Sequence, residues 1–143
     1  MNMLIRVLLV WINGVTGLPV GDKLPSIRLE SPATIQEFVN PEQSHPNDAQ
    51  IEQALAYFDT RRDEIVLRRG WQPDNPFDVS ILVHELVHFM QDEAGRLYPC
   101  PGAREKDAYA AQEAWLKSQG IDLDNVEMPL DRMFVLVVTS CAN

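Results

Sequence analysis

Apolar residues along the chain change spacing from segment to segment, and each change of period marks a new element. Met3, Leu4, Val7, Leu8, Trp11 and Val15 follow the i, i+3, i+4, i+7 pattern of an amphipathic helix that ends near Gly14 or Gly17. The period then drops to two, because Ser26-Ile27-Arg28-Leu29-Glu30 alternates as a strand does. Residues 32–39 return to helical spacing with Ser31 as the cap. Residues 40–49, with Pro41, Pro46, Asn47 and Asp48, read as a polar loop. Ala54-Leu55-Ala56-Tyr57-Phe58 and Glu64-Ile65-Val66-Leu67-Arg68 then flank Asp59-Thr60-Arg61-Arg62-Asp63, which predicts a hairpin. The outcome expected of these strands is a small antiparallel sheet packed on helices.

The clearest helix comes next. Asn75 is a good N-cap, Pro76 suits the first helical position and Asp78 puts an acid in the first turn. Ile81, Leu82, Val83, Leu86, Val87, Phe89 and Met90 form a broad apolar face, and Gly95 is a natural stop, so the helix runs over 76–94. Trp71, ahead of it, reads as a core plug followed by a proline-bearing turn. A further helix spans 101–120, ended by Gly120. Residues 129–141 carry Met133, Phe134, Val135, Leu136, Val137 and Val138, a run that fits a buried helix or a strand.

A length of 143 residues, 45% of them hydrophobic, predicts one α+β domain over 1–143 with a modest core. The formal charge of −9 disfavours nucleic acid and anionic membrane surfaces as partners. Arg6 followed by the apolar run 7–12 also has the outline of a short signal peptide. Six apolar residues are few for that purpose and far too few to span a bilayer, so the structural helix is the preferred reading. Cys100 and Cys141 stand too far apart in sequence to form a zinc knuckle. A disulfide between them would staple the tail near the long helices and point to an exported protein, whereas free thiols would point to a cytoplasmic one.

The 76–94 helix carries His84-Glu85-Leu86-Val87-His88. Imidazoles at i and i+4 lie one turn apart on one face, about 40° apart around the axis, and can turn a nitrogen to the same ion. Glu85 is rotated by about 100° from His84, better placed to touch a water beside the ion than the ion itself, which is the position of a general base. A hydrolytic Zn²⁺ site needs a third protein ligand and an open position. Asp92 lies about 12 Å along the helix from His84 and cannot close the same tetrahedron. His45 sits in a turn-like Ser-His-Pro-Asn stretch. Glu105 is the better donor, because on the 101–120 helix it shares a stripe with Ala108, Tyr109, Gln112, Trp115 and Leu116. Glu113 falls at the edge of that stripe.

On these residues the chain resembles the gluzincin class of zinc metallopeptidases, and more closely the minimal, single-domain gluzincins. Gln91, Gln112 and Trp115 are similar to one uncharacterised bacterial branch. The resemblance covers roughly residues 76–120 and implies a zincin-like core that cleaves a peptide or protein substrate. His84, His88 and Glu105 would hold Zn²⁺, Glu85 would act as base, and Tyr109 would be a candidate for the oxyanion. It also implies an edge strand that holds extended substrate, for which 64–68 is the candidate; the 129–141 run, read as a helix, would pack behind the site. The chain departs from the large peptidases in lacking room for a separate domain bearing a transition-state histidine or tyrosine. A metal-containing peptide-binding module without catalysis is therefore the alternative. A purely structural zinc site would need a fourth ligand, from His45 or Glu113.

Overall fold

The computed structural model describes residues 1–39, 55–121 and 132–141. The predicted loop over 40–49, with His45, lies outside the described residues. In chain order the elements are α1 (Asn2–Thr16), β1 (Ser26–Glu30), α2 (Pro32–Val39), β2 (Ala56–Asp59), β3 (Glu64–Arg68), α3 (Pro76–Glu93), α4 (Pro101–Ser118) and α5 (Arg132–Val138). None of the described helices is long and apolar enough to cross a membrane.

Local chemistry fixes most of these boundaries. Asn75 Oδ1 accepts from the amides of Phe77 and Asp78 at 2.9 and 3.3 Å, which satisfies two of the free donors at the start of α3. Ser31 Oγ does the same for the Thr34 amide at the start of α2. At the far end of α3, Gly95 takes a φ of 60°, and the amides of Gly95 and Arg96 close back on the carbonyls of Asp92 and Gln91. Trp71 is the plug that its sequence setting predicts. It is buried, and its indole N–H donates to the Asp78 carbonyl at 2.6 Å.

α3 is the centre of the molecule. Twelve of its residues are buried, from Val79 to Gln91, because helices α1 and α4 and the sheet cover it from different sides. α1 contributes Ile5, Leu8, Leu9 and Ile12 to the same core, so it is a structural helix. Fully burying a side chain of this kind stabilises the fold by about 1.5–3 kcal/mol.

The hairpin forms as expected: β2 and β3 pair antiparallel, with Tyr57 opposite Val66. The all-antiparallel sheet does not form. β1 pairs with β3 in parallel, Ser26 beside Glu64 and Glu30 beside Arg68, and the strand order is β1-β3-β2. Alternation along a strand specifies which face is buried, not which neighbour it takes or in which direction. The order also moves the substrate-strand expectation. β3 is the middle strand, with Ile65, Val66 and Leu67 buried and both edges paired, so residues 64–68 cannot accept a further strand. β2 is the edge strand on the α3 side.

The last segment is a helix where it is described, α5, but part of its apolar run faces outward. Leu136 and Val137 are exposed. It is held at the start of α4, by a disulfide between Cys100 and Cys141 with Cα atoms 5.8 Å apart. Gly102 lets the tail come this close, since a Cβ there would stand 2.6 Å from the Ser140 carbonyl oxygen. The disulfide closes a loop 41 residues apart in sequence, worth about 4 kcal/mol in the chain-entropy account. Replacing both cysteines with serine is expected to lower stability by up to that amount in urea unfolding, with a steeper transition slope because the unfolded chain is no longer cross-linked.

Candidate metal centre

A polar stripe runs along the buried face of α3, formed by Ser80, His84, His88 and Gln91 at spacings of four, four and three. A matching stripe on α4, formed by Glu105, Tyr109 and Gln112, faces it. The two meet side chain by side chain. His84 Nε2 lies 3.1 Å from Glu105 Oε2, and His88 Nε2 lies 2.9 Å from Glu105 Oε1. Each imidazole thus turns the same nitrogen to one carboxylate, and the donor atoms of the three residues all lie within 4.8 Å of one another. Two ligands bound about 2.1 Å from one ion at a tetrahedral angle stand about 3.4 Å apart, close to these separations.

The other ring nitrogens carry the stronger argument. His84 Nδ1 is 3.0 Å from Gln112 Oε1, and His88 Nδ1 is 2.9 Å from Gln91 Oε1. An amide oxygen can only accept, so both Nδ1 atoms must donate, and a ring that gives up the proton it shares with Glu105 presents Nε2 as its lone-pair donor. The glutamines are themselves held. Gln91 donates to the Arg104 carbonyl at 3.0 Å, and Gln112 donates to Ser80 Oγ at 3.3 Å, which in turn donates to the Phe77 carbonyl at 2.6 Å. This is the outer shell that a histidine metal ligand needs for a fixed tautomer and orientation. The sequence contained the signal for it, since two amides fall on otherwise apolar stripes, one turn beyond His88 and two turns beyond Glu105.

The neighbouring residues face a cavity of about 480 Å³ lined by β2, α3 and α4. Glu85 reaches it from α3, and among the described residues its carboxylate makes no hydrogen bond. Burial pushes this carboxyl above the ordinary range, against the pull of His84 and His88. Tyr109 packs its ring edge-to-face with His84, centroids 4.5 Å apart, and burial together with the charges of Glu105 and Glu85 pushes its hydroxyl up to about 12. Burial works to raise Glu105 as well, but hydrogen bonds from His84 and His88 hold it far below the usual carboxylate range. For His88, burial works to lower it, and the Glu105 hydrogen bond and the charges of Glu85 and Glu105 outweigh that, so its proton is held more firmly than usual.

Every residue that the sequence assigned to the centre is present in it: His84, Glu85, His88, Glu105 and Tyr109. Two of the residues weighed as further ligands, Asp92 and Glu113, are not, and His45 lies outside the described residues. Asp92 groups with Asp63 and Glu93, away from the imidazoles, and Glu113 turns outward to Lys117 at 3.5 Å. The three donors on the two helices are grouped as a metal ion would need and line the cavity.

The whole chain, residues 1–143, matches a family described as "Domain of unknown function (DUF6647)". No curated protein and no solved structure matches it.

Gln91→Leu and Gln112→Leu are each expected to weaken Zn²⁺ binding by about 10–100-fold in a chelator-competition titration, because the imidazoles lose their fixed tautomer. Affinity should also fall with pH in a defined direction. A raised His88 value means that an entering cation must displace a proton over a range reaching above the ordinary imidazole value of about 6.5. Below that range, the same titration should lose about tenfold in affinity per pH unit for each proton released.

Proposed function

The chain belongs to the DUF6647 family, and from the centre that it carries we propose that it is a zinc-dependent hydrolase, most directly a metallopeptidase with a zincin-like core. The observation that carries this reading is the fixed tautomer of both imidazoles. Gln91 and Gln112 hold the two Nδ1 atoms so that both Nε2 atoms turn to one carboxylate, a donor set and outer shell suited to zinc.

When bound by His84, His88 and Glu105, zinc supplies Lewis acidity that polarises a carbonyl and makes water more acidic. The remaining work falls to the chain's own residues. Glu85 takes a proton from the attacking water and passes it to the nitrogen of the leaving amine, so that an amide and water become a carboxylic acid and an amine. Its raised affinity for protons suits it to both halves of that transfer. Tyr109, protonated throughout the neutral range, offers its hydroxyl to the oxygen on which negative charge develops. Phe58 and Ala56 of β2 line the same cavity. Among the described residues no strand pairs with the outer edge of β2, so an extended peptide can add there through main-chain hydrogen bonds.

Glu85→Gln tests the assignment. It is expected to retain zinc in metal analysis while lowering kcat on a cleaved peptide by about 10²–10⁴-fold. An unchanged rate would remove Glu85 as the base. Stoichiometric peptide capture by the wild type without any product would instead make the domain a binding module.

A further inference from the structure

Arg104 has no part in the chemistry proposed above, yet it lines the same cavity as His84, His88 and Glu85. It is the single cation among the described residues that line that space. It is half-buried and, among the described residues, has no carboxylate partner, in a chain whose net charge of −9 offers partners in abundance.

Helix stability does not account for it either. Arg104 closes the first turn of α4, which contains no acidic residue, and the positive end of the helix dipole disfavours a cation there. Its backbone, by contrast, is fixed. The Arg104 carbonyl accepts from Gln91 Nε2, the same amide that orients His88, so the point from which the side chain reaches out is set relative to His88. The cavity therefore holds a positive charge at one side, two carboxylates at the centre and aromatic or apolar groups elsewhere.

We propose that Arg104 selects the substrate: its guanidinium receives a carboxylate of the ligand that occupies this cavity, so the favoured substrates carry an anionic group beside the scissile amide. A planar guanidinium pairs with a carboxylate through two parallel hydrogen bonds, which gives direction as well as attraction. The local charge also offsets the repulsion that an acidic protein exerts on an anionic ligand. The carboxylate has two possible sources, a Glu or Asp side chain or the free C-terminus of a peptide. The inference rests on the reading of the centre as a zinc site open to substrate.

Short peptide hydroxamates test it without requiring turnover. Four probes are compared on the zinc-loaded protein by calorimetry: Glu or Gln beside the hydroxamate, each with a free or an amidated C-terminus. The wild type is expected to bind a carboxylate-bearing probe at least about tenfold more tightly than its neutral counterpart, a difference of about 1.4 kcal/mol. The position of that difference, in the Glu/Gln pair or in the acid/amide pair, identifies the source. In Arg104→Gln the ratio should fall to within about twofold, and Arg104→Lys should restore part of it, an outcome that a merely structural role would not produce. Equal affinities in the wild type, or a ratio that survives Arg104→Gln, would overturn the proposal. Zinc uptake is measured separately on each protein. A wild type that takes up no zinc counts against the metal centre itself, whereas zinc bound with no discrimination between probes counts against Arg104 alone.

Discussion

Glu105 faces the Nε2 atoms of His84 and His88 from a separate helix, so the chain must hold α3 and α4 at a fixed distance and rotation while keeping several polar groups out of bulk water. The other main features of the fold serve that requirement. Burying α3 on nearly all sides removes its freedom to rotate, and the cover comes from α1, the sheet and α4 together. The polar stripe would be costly in such a place if left unpaired, since a buried polar group without a partner costs about 1–3 kcal/mol. Instead each member is matched: Ser80 with Gln112, His84 with Gln112 and Glu105, His88 with Gln91 and Glu105. The seam that orients the donors is also what fixes the two helices to each other.

The parts of this arrangement that depend on nearest neighbours are legible in the sequence. Asn75 and Ser31 cap the helices they precede, the hairpin closes over residues 60–63, and rotation about α4 singles out Glu105 from Lys106 and Asp107. What fails to show are matters of partnership across space. A strand's alternation does not name its neighbour, so the parallel pairing of β1 and the central place of β3 are invisible in the letters. The apolar run in α5 reads as core although Leu136 and Val137 face outward, and its letters do not show that a disulfide ties the segment to the start of α4. The tie itself was open from the cysteine count alone. Arg104 is hidden for a different reason: an arginine carries no metal-ligand signature, although it lies at the edge of the same stripe as Glu105.

Charge is distributed unevenly in a way that suits the centre. Two carboxylates, Glu85 and Glu105, sit within the same cavity, and their environments push their protonation in opposite directions. Burial outweighs the attraction of the histidines for Glu85, whereas for Glu105 direct hydrogen bonds to those histidines outweigh burial. A pair of like groups separated in this manner supplies two roles at one pH, a held anion and a group that exchanges protons.

The parallel register of β1 bears on the order in which the molecule can assemble. The β2–β3 hairpin and the α3–α4 pair are each built from stretches adjacent in sequence, and all the residues of the polar seam fall between 80 and 112. Ser26, by contrast, must find Glu64 across α2 and everything that follows it. Closing so long a loop costs entropy before any contact repays it, which makes such pairings late events. A nascent chain can therefore bring its histidines and glutamate together from local segments alone. The slower joining of β1 to the sheet then closes over helices whose polar seam is already within reach.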